Sequence, residues 1–138
     1  MKLHFFYGSL RTGYWNQRRV LSENAVRVSD AVLEGFSLFV GHVTNVPTVC
    51  PNISNTVVKG DLYDLDKTDT NRVAILETGY RCDDFEVILP DGEIRMARVY
   101  YCDTPEDCPY FGNGSKRVVN GDFTTVVGPR GEKRTWSE

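Results

Sequence analysis

The sequence has 138 residues, 41% hydrophobic and 12% aromatic, with 16 Lys and Arg against 19 Asp and Glu for a net charge of −3. Such a chain buries enough apolar surface to offset the entropy of ordering, which excludes disorder, and it offers no general attraction to nucleic acid or anionic membranes. No window approaches the roughly 18 apolar residues that span a bilayer, and MKLHFFYGSL has too short an apolar run for a secretory signal, so a soluble, cytoplasmic, single-domain protein is expected.

Leu3 to Tyr7 is a run of β-formers ending at Gly8, where a glycine beside a strand marks a sharp turn or a close backbone approach. Trp15 to Glu23 has the spacing of a short helix. Ala25 to Val28 and Ala31 to Val40 return to β composition, and Thr56 to Leu65 reads as a strand with a bulge at Gly60. One helix is specified in detail, from Lys67 to Thr78. Asp66 serves as its N-cap, Asp69 sits in its first turn and Gly79 lies just beyond its end. Val73, Leu76 and Tyr80 form its inward face. Phe85 to Leu89 and Glu93 to Tyr101 flank Pro90-Asp91-Gly92, a hairpin connection. After Cys102 the chain is rich in Pro, Gly, Asn and Asp, and from Gly128 it reads as a loosely held tail.

These elements predict an α+β fold: a small, mostly antiparallel sheet closed or half closed into a barrel, with the helix from Lys67 packed on it. The domain is expected over residues 1–127 and the tail over 128–138. Cys50, Cys82, Cys102 and Cys108 lack C-x-x-C spacing and stand apart from His4 and His42, so a structural zinc is not expected. The four thiols read as reduced, although Cys82 and Cys102 flank a hairpin and are placed for pairing.

Two places carry chemistry. In Tyr7-Gly8-Ser9-Leu10, Gly8 allows successive N–H groups to point into one hollow, a nest for a carboxylate or an oxyanion; the alternative is a plain turn. Glu77 shares a helix face with Val73 and Tyr80. Desolvation and the helix dipole both push a carboxyl there upward, toward the range of a general base near neutrality. The alternative is a glutamate at a fraying helix end that reaches solvent. Ser9 has no evident base to make it a nucleophile. His4 reads as core or edge packing. Alternation sends Asp61 and Asp64 to opposite faces, against a cation site. Arg11, Arg18 and Arg19 lie near the Gly8 turn and read as surface residues, as do Lys116-Arg117 and Arg130 to Arg134.

FFYGSLRTGYWNQRRVL resembles the opening motif of the γ-glutamylcyclotransferase-like superfamily, closest to its γ-glutamylamine cyclotransferase and AIG2-like branch. The matching residues are Tyr7, Gly8, Ser9, Leu10, Gly13 and Asn16. Asn45-Val46-Pro47, VVKGDLYDLD, VAILETGY and the closing Ala97-x-Val99-Tyr100 are similar to later segments of that family, in the same order. The resemblance implies a small barrel with helices and a cavity. It implies Glu77 as the catalytic acid and base, and a substrate site made by Tyr7, Gly8, Ser9, Leu10, Asn16, Pro47 and Tyr80. The implied reaction is attack of a γ-glutamyl α-amine on its own side-chain carbonyl, releasing 5-oxoproline and an amine or amino acid. It needs no metal or organic cofactor, and its partner is a small γ-glutamyl substrate, with no nucleic acid or membrane; the oligomeric state is left open. The sequence departs from the family at Ala74, where an Asp is usual, in a short segment between Glu77 and Tyr80, and throughout 103–127. A non-catalytic module that keeps the cavity for a small ligand is the second reading. A protein-interaction domain using the aromatic segment from Tyr101 to Phe111 is the third.

Overall fold

The first strand lies at the seam of a closed barrel, and the computed structural model that shows this describes residues 1–51, 56–111 and 114–134. Strand β1 (Lys2–Phe6) pairs antiparallel with β5 (Val57–Leu65) on one side and parallel with β7 (Ile94–Tyr101) on the other. With β2 (Val26–Glu34) and β6 (Arg81–Ile88), the barrel runs β1-β5-β2-β6-β7. A second sheet of order β4-β3-β8 is built from β3 (Phe36–Gly41), β4 (Pro47–Pro51) and β8 (Ser115–Val118). Gly35, at φ 79°, is the single residue that sends the chain from β2 into β3, a conformation costly for residues with a Cβ. The expected α+β barrel is therefore closed and mixed, antiparallel except at the β1–β7 seam.

Alternation along β1 divides the interior in two. Phe5 and Tyr7 enter the main core with Leu33, Leu38 and Val58. Phe6 faces the other way, with Tyr63, Leu65 and Val73, against the helices. His4 shares that second face, its ring 5.8 Å from Phe6.

Helix α1 (Trp15–Val20) and helix α2 (Lys67–Leu76) are tied together at their ends. Asp66 caps α2 by accepting the Asp69 N–H at 2.8 Å, as the sequence predicts. The buried Asp69 carboxylate reaches across to accept the Ser22 amide at 3.0 Å and its hydroxyl at 2.7 Å. Val73 is fully buried and Ile75 points to solvent. The helix ends at Leu76 rather than Thr78, because the Thr78 hydroxyl takes the Ile75 carbonyl at 2.7 Å and Gly79 turns at φ 100°. Glu77 is thereby the C-cap.

Two further expectations change, and the alternative of a Cys82–Cys102 pairing falls. Gly60 is not a bulge, since it pairs in register with Ala31; the bulge lies in β2 between Arg27 and Ser29. Gly60 is instead a close approach, where a Cβ would come within 2.6 Å of the Phe5 ring. All four cysteines are unpaired, and the strand partner of Cys82 is Tyr100, not Cys102. Residues 128–134 are held rather than loose: Gly128 N–H donates to the Glu132 carbonyl at 2.7 Å and Arg134 N–H to that of Val126 at 2.8 Å. The Asn45 side chain donates to the Gly131 carbonyl at 3.1 Å, and the Lys133 ammonium to that of His42 at 2.8 Å. The end of the expected tail, 135–138, lies outside the described residues.

Candidate active site

The chain leaves β1 at Tyr7, whose hydroxyl donates to the Tyr100 carbonyl at 2.6 Å and fixes the strand end against β7. It then turns: the Gly8 carbonyl accepts the Arg11 N–H at 3.0 Å. The Ser9 carbonyl accepts the N–H groups of Asn16 at 3.1 Å and Gln17 at 3.2 Å, so it satisfies the orphan donors that open α1. Asn16 returns the contact with its side chain, donating to Ser9 Oγ at 2.8 Å. With the carbonyls directed to these donors, the amides of Gly8, Ser9 and Leu10 have no acceptor among the described residues. A Cβ at Gly8 would overlap the Pro47 ring, so this turn and the start of β4 approach closer than any other residue allows.

Gly8, Ser9 and Leu10 border a cavity of about 260 Å³. Tyr7, Gly8, Ser9 and Leu10 form one wall, Asn16 comes from α1, Pro47 from β4, and Glu77 and Tyr80 from the end of α2. The structure thus brings together all eight site residues that the sequence predicts. The short segment after Glu77 is a single turn, closed by Tyr80 N–H on the Glu77 carbonyl at 3.0 Å. It carries the Tyr80 hydroxyl to the Pro47 carbonyl at 2.6 Å, with the Cys108 thiol behind it at 3.5 Å. Ala74, the departure from the family pattern, is exposed on α2 and does not line the cavity.

Electrostatically, one group stands out. Burial pushes the Glu77 carboxyl up from 4.5 to about 7, and among the described residues nothing hydrogen-bonds or pairs with it. Burial also pushes the Tyr7 and Tyr80 phenols well up, with the nearby Glu77 charge adding to each. Both phenols stay protonated and are committed to backbone carbonyls, so neither serves as a base. Among the described residues the lining contains no Lys, Arg or His. An anion entering it meets only neutral donors, and a proton near neutral pH has one place to go. Among the described residues no group of three or more His, Cys, Asp or Glu is arranged to hold a metal ion.

Sequence reasoning missed part of the wall. Trp15, Thr44, Val46 and Tyr110 also line the cavity. Tyr110 belongs to the stretch after Cys102 that carries no family motif, and its neighbourhood to Tyr80, with ring centroids 6.2 Å apart, is a long-range contact. Thr44 joins the same rim by donating to the Tyr110 carbonyl at 3.3 Å. Of the aromatic segment considered as an interaction surface, Tyr101 and Phe111 are buried. Arg18 and Arg19 are exposed, whereas Arg11 is turned away from the cavity into ion pairs with Asp61 and Asp122.

Comparison with known proteins agrees with this architecture. A protein of Methanocaldococcus jannaschii, provisionally named a gamma-glutamylcyclotransferase, is 29% identical over 131 residues, which cover 93% of this chain and 100% of that one. The crystal structure of the Pyrococcus horikoshii protein PH0828 superposes with a TM-score of 0.65 at 23% identity, covering 90% of this chain and 91% of that chain. A structure titled gamma-glutamyl cyclotransferase superposes with a TM-score of 0.59 at 19% identity over 72% of this chain and 65% of that one. The family description "Gamma-glutamyl cyclotransferase, AIG2-like" matches residues 4–125. The chain, with its closed barrel, second small sheet and two helices, belongs to the gamma-glutamyl cyclotransferase, AIG2-like family.

Proposed function

We propose that the protein is a γ-glutamyl cyclotransferase of the γ-glutamylamine type. What supports this reading is one juxtaposition: a lone carboxylate held near pKa 7 in the same cavity as three consecutive amides that have no acceptor among the described residues. The substrate enters with its α-nitrogen as an ammonium. Glu77 takes one proton and the freed amine attacks the side-chain amide carbonyl of the same molecule. The C–N bond that forms closes the five-membered ring. Glu77 then gives its proton to the departing nitrogen as the old C–N bond breaks, and carries the second proton from the ring nitrogen to the freed amine, leaving 5-oxoproline and an ammonium. Protons balance with one shuttling group and no water is consumed.

The amides of Gly8, Ser9 and Leu10 hold the substrate carboxylate or the developing oxyanion. In a lining without cations they are the donors for that charge, and one such donor is worth about 3 kcal/mol in comparable sites. Asn16 supports them through Ser9. Pro47 and Tyr80 form the facing wall, which folds the substrate toward attack; the gain from a well-aligned intramolecular reaction reaches about 7–11 kcal/mol. A panel of γ-glutamyl amines and γ-glutamyl amino acids, assayed for 5-oxoproline, tests the reading. Release from at least one amine donor is expected, and no release from any donor refutes it.

A further inference from the structure

The mechanism above uses the Gly8–Leu10 amides but leaves open what holds them in place. The turn that follows, Arg11 to Gly13, has no regular structure of its own, and Gly13 sits at φ 84°. It is anchored from β5. The Asp61 side chain is 5% exposed and accepts the Thr12 N–H at 2.9 Å. The same carboxylate lies 3.5 Å from Arg11 Nε and 3.2 Å from Arg27 Nη2. Arg11 in turn donates to Asp122 at 3.0 Å, and the Thr12 hydroxyl is bonded to the Tyr63 hydroxyl at 2.6 Å. A buried carboxylate is costly unless its charge and hydrogen bonds are met; here two of its three partners, Arg11 and Thr12, are the residues directly after Leu10.

We infer that Asp61 is a positioning residue for the reaction, locking the Arg11–Gly13 turn so that the Gly8, Ser9 and Leu10 amides converge on the cavity. This rests on the assignment of those amides as the substrate cradle. Asp61 lines no part of the cavity, so it acts only through the backbone it holds. Arg11 is the other half of the device. With two carboxylates on its guanidinium, it fixes the loop rather than attracting the substrate, which leaves anion recognition to neutral N–H groups. Arg27, 40% exposed, is a solvent-side partner and contributes little to the lock.

The test compares Asp61→Asn with Arg27→Gln in the full chain. Asp61→Asn keeps an oxygen for Thr12 but loses both ionic partners. A KM rise of about tenfold is expected, with kcat within about threefold and the pH profile unmoved, because Glu77 sits on another element. Arg27→Gln should leave KM within about twofold. Turnover is not the only readout. In amide NMR, Asp61→Asn should broaden or split the Gly8, Ser9 and Leu10 peaks and leave Val73 to Glu77 in place. Those peaks unmoved, or KM unchanged, overturns the inference. If wild-type protein releases no 5-oxoproline, the cyclotransferase reading falls and the NMR comparison alone decides the lock. Should Asp61→Asn not fold, Thr12→Val cuts the second tether of the same turn at an exposed residue. A KM rise of about threefold with shifted Gly8–Leu10 peaks then supports the lock, and wild-type behaviour overturns it.

Discussion

Replacing Glu77 by Gln should make the protein more resistant to unfolding at pH 8 than the wild type, with the difference vanishing at pH 4. The Glu77 carboxyl is raised from 4.5 to about 7 by burial, so the charged form is disfavoured in the folded state. A folded pKa above the unfolded one contributes stability that is complete below about 4.5 and is lost as pH rises through about 7. Each tenfold step is about 1.4 kcal/mol, which gives roughly 3 kcal/mol for the full difference. The carboxylate is half-buried and faces a solvent-accessible cavity, so about 2 kcal/mol is the realistic figure after screening. Glutamine keeps the shape and cannot ionise. Urea unfolding of both proteins at pH 4, 5, 6, 7 and 8 reads the effect directly. The stability difference should open between pH 4.5 and 7, in favour of the variant. A difference that stays flat across that range refutes the raised pKa and the base assigned from it.

Other predictions concern packing and conformation. His4 is fully buried with its pKa lowered from 6.5 to about 4 by desolvation, so wild-type stability should fall by up to about 3 kcal/mol as pH drops from 6.5 through 4. His4→Gln should flatten that slope in acid titrations of unfolding, and an unchanged slope would place the effect elsewhere. Gly8→Ala drives a methyl into Pro47, so β4 must shift from the amide turn. KM for a γ-glutamyl donor should rise about tenfold, and wild-type kinetics would contradict the close approach. Asn45 has φ 57° and donates to Gly131. Asn45→Gly should cost about 1 kcal/mol for the lost hydrogen bond, and Asn45→Ala about 1 kcal/mol more for the left-handed backbone; equal melting of the two variants would refute the strain.

Where the sequence was legible, local chemistry and tertiary demand agreed. The Asp66 cap, the Pro90-Asp91-Gly92 hairpin and the run of β-formers ending at Gly8 are decided within a few residues, and each appears in the structure. Strand β4 was hidden because it begins and ends with proline, which reads as loop; it is tolerated because β4 is the edge of its sheet, where strand N–H groups are not all needed. Strand β8 is only four residues long, too short for a period to show. The 128–134 segment has turn composition, and what holds it is backbone and side-chain bonding to Val126, His42 and Asn45, partners no local window contains. The same holds for the site. The eight residues in motif segments come together, whereas Tyr110 and Thr44 reach the cavity through loops whose placement depends on β3, β4 and the tail. Asp61 was readable as an acid on a strand, but its work on Thr12 and Arg11 depends on the β1–β5 register that sets Phe6 opposite it.

The central claim is that a single carboxylate moves the proton in an intramolecular ring closure. It is tested most directly by 5-oxoproline release from the best γ-glutamyl amine donor, comparing wild type with Glu77→Gln at pH 7.5. The account predicts turnover by the wild type and a fall of about 10²–10⁴-fold in the variant, with circular dichroism and the Gly8–Leu10 amide peaks unchanged. Turnover by Glu77→Gln within about threefold of the wild type would contradict it.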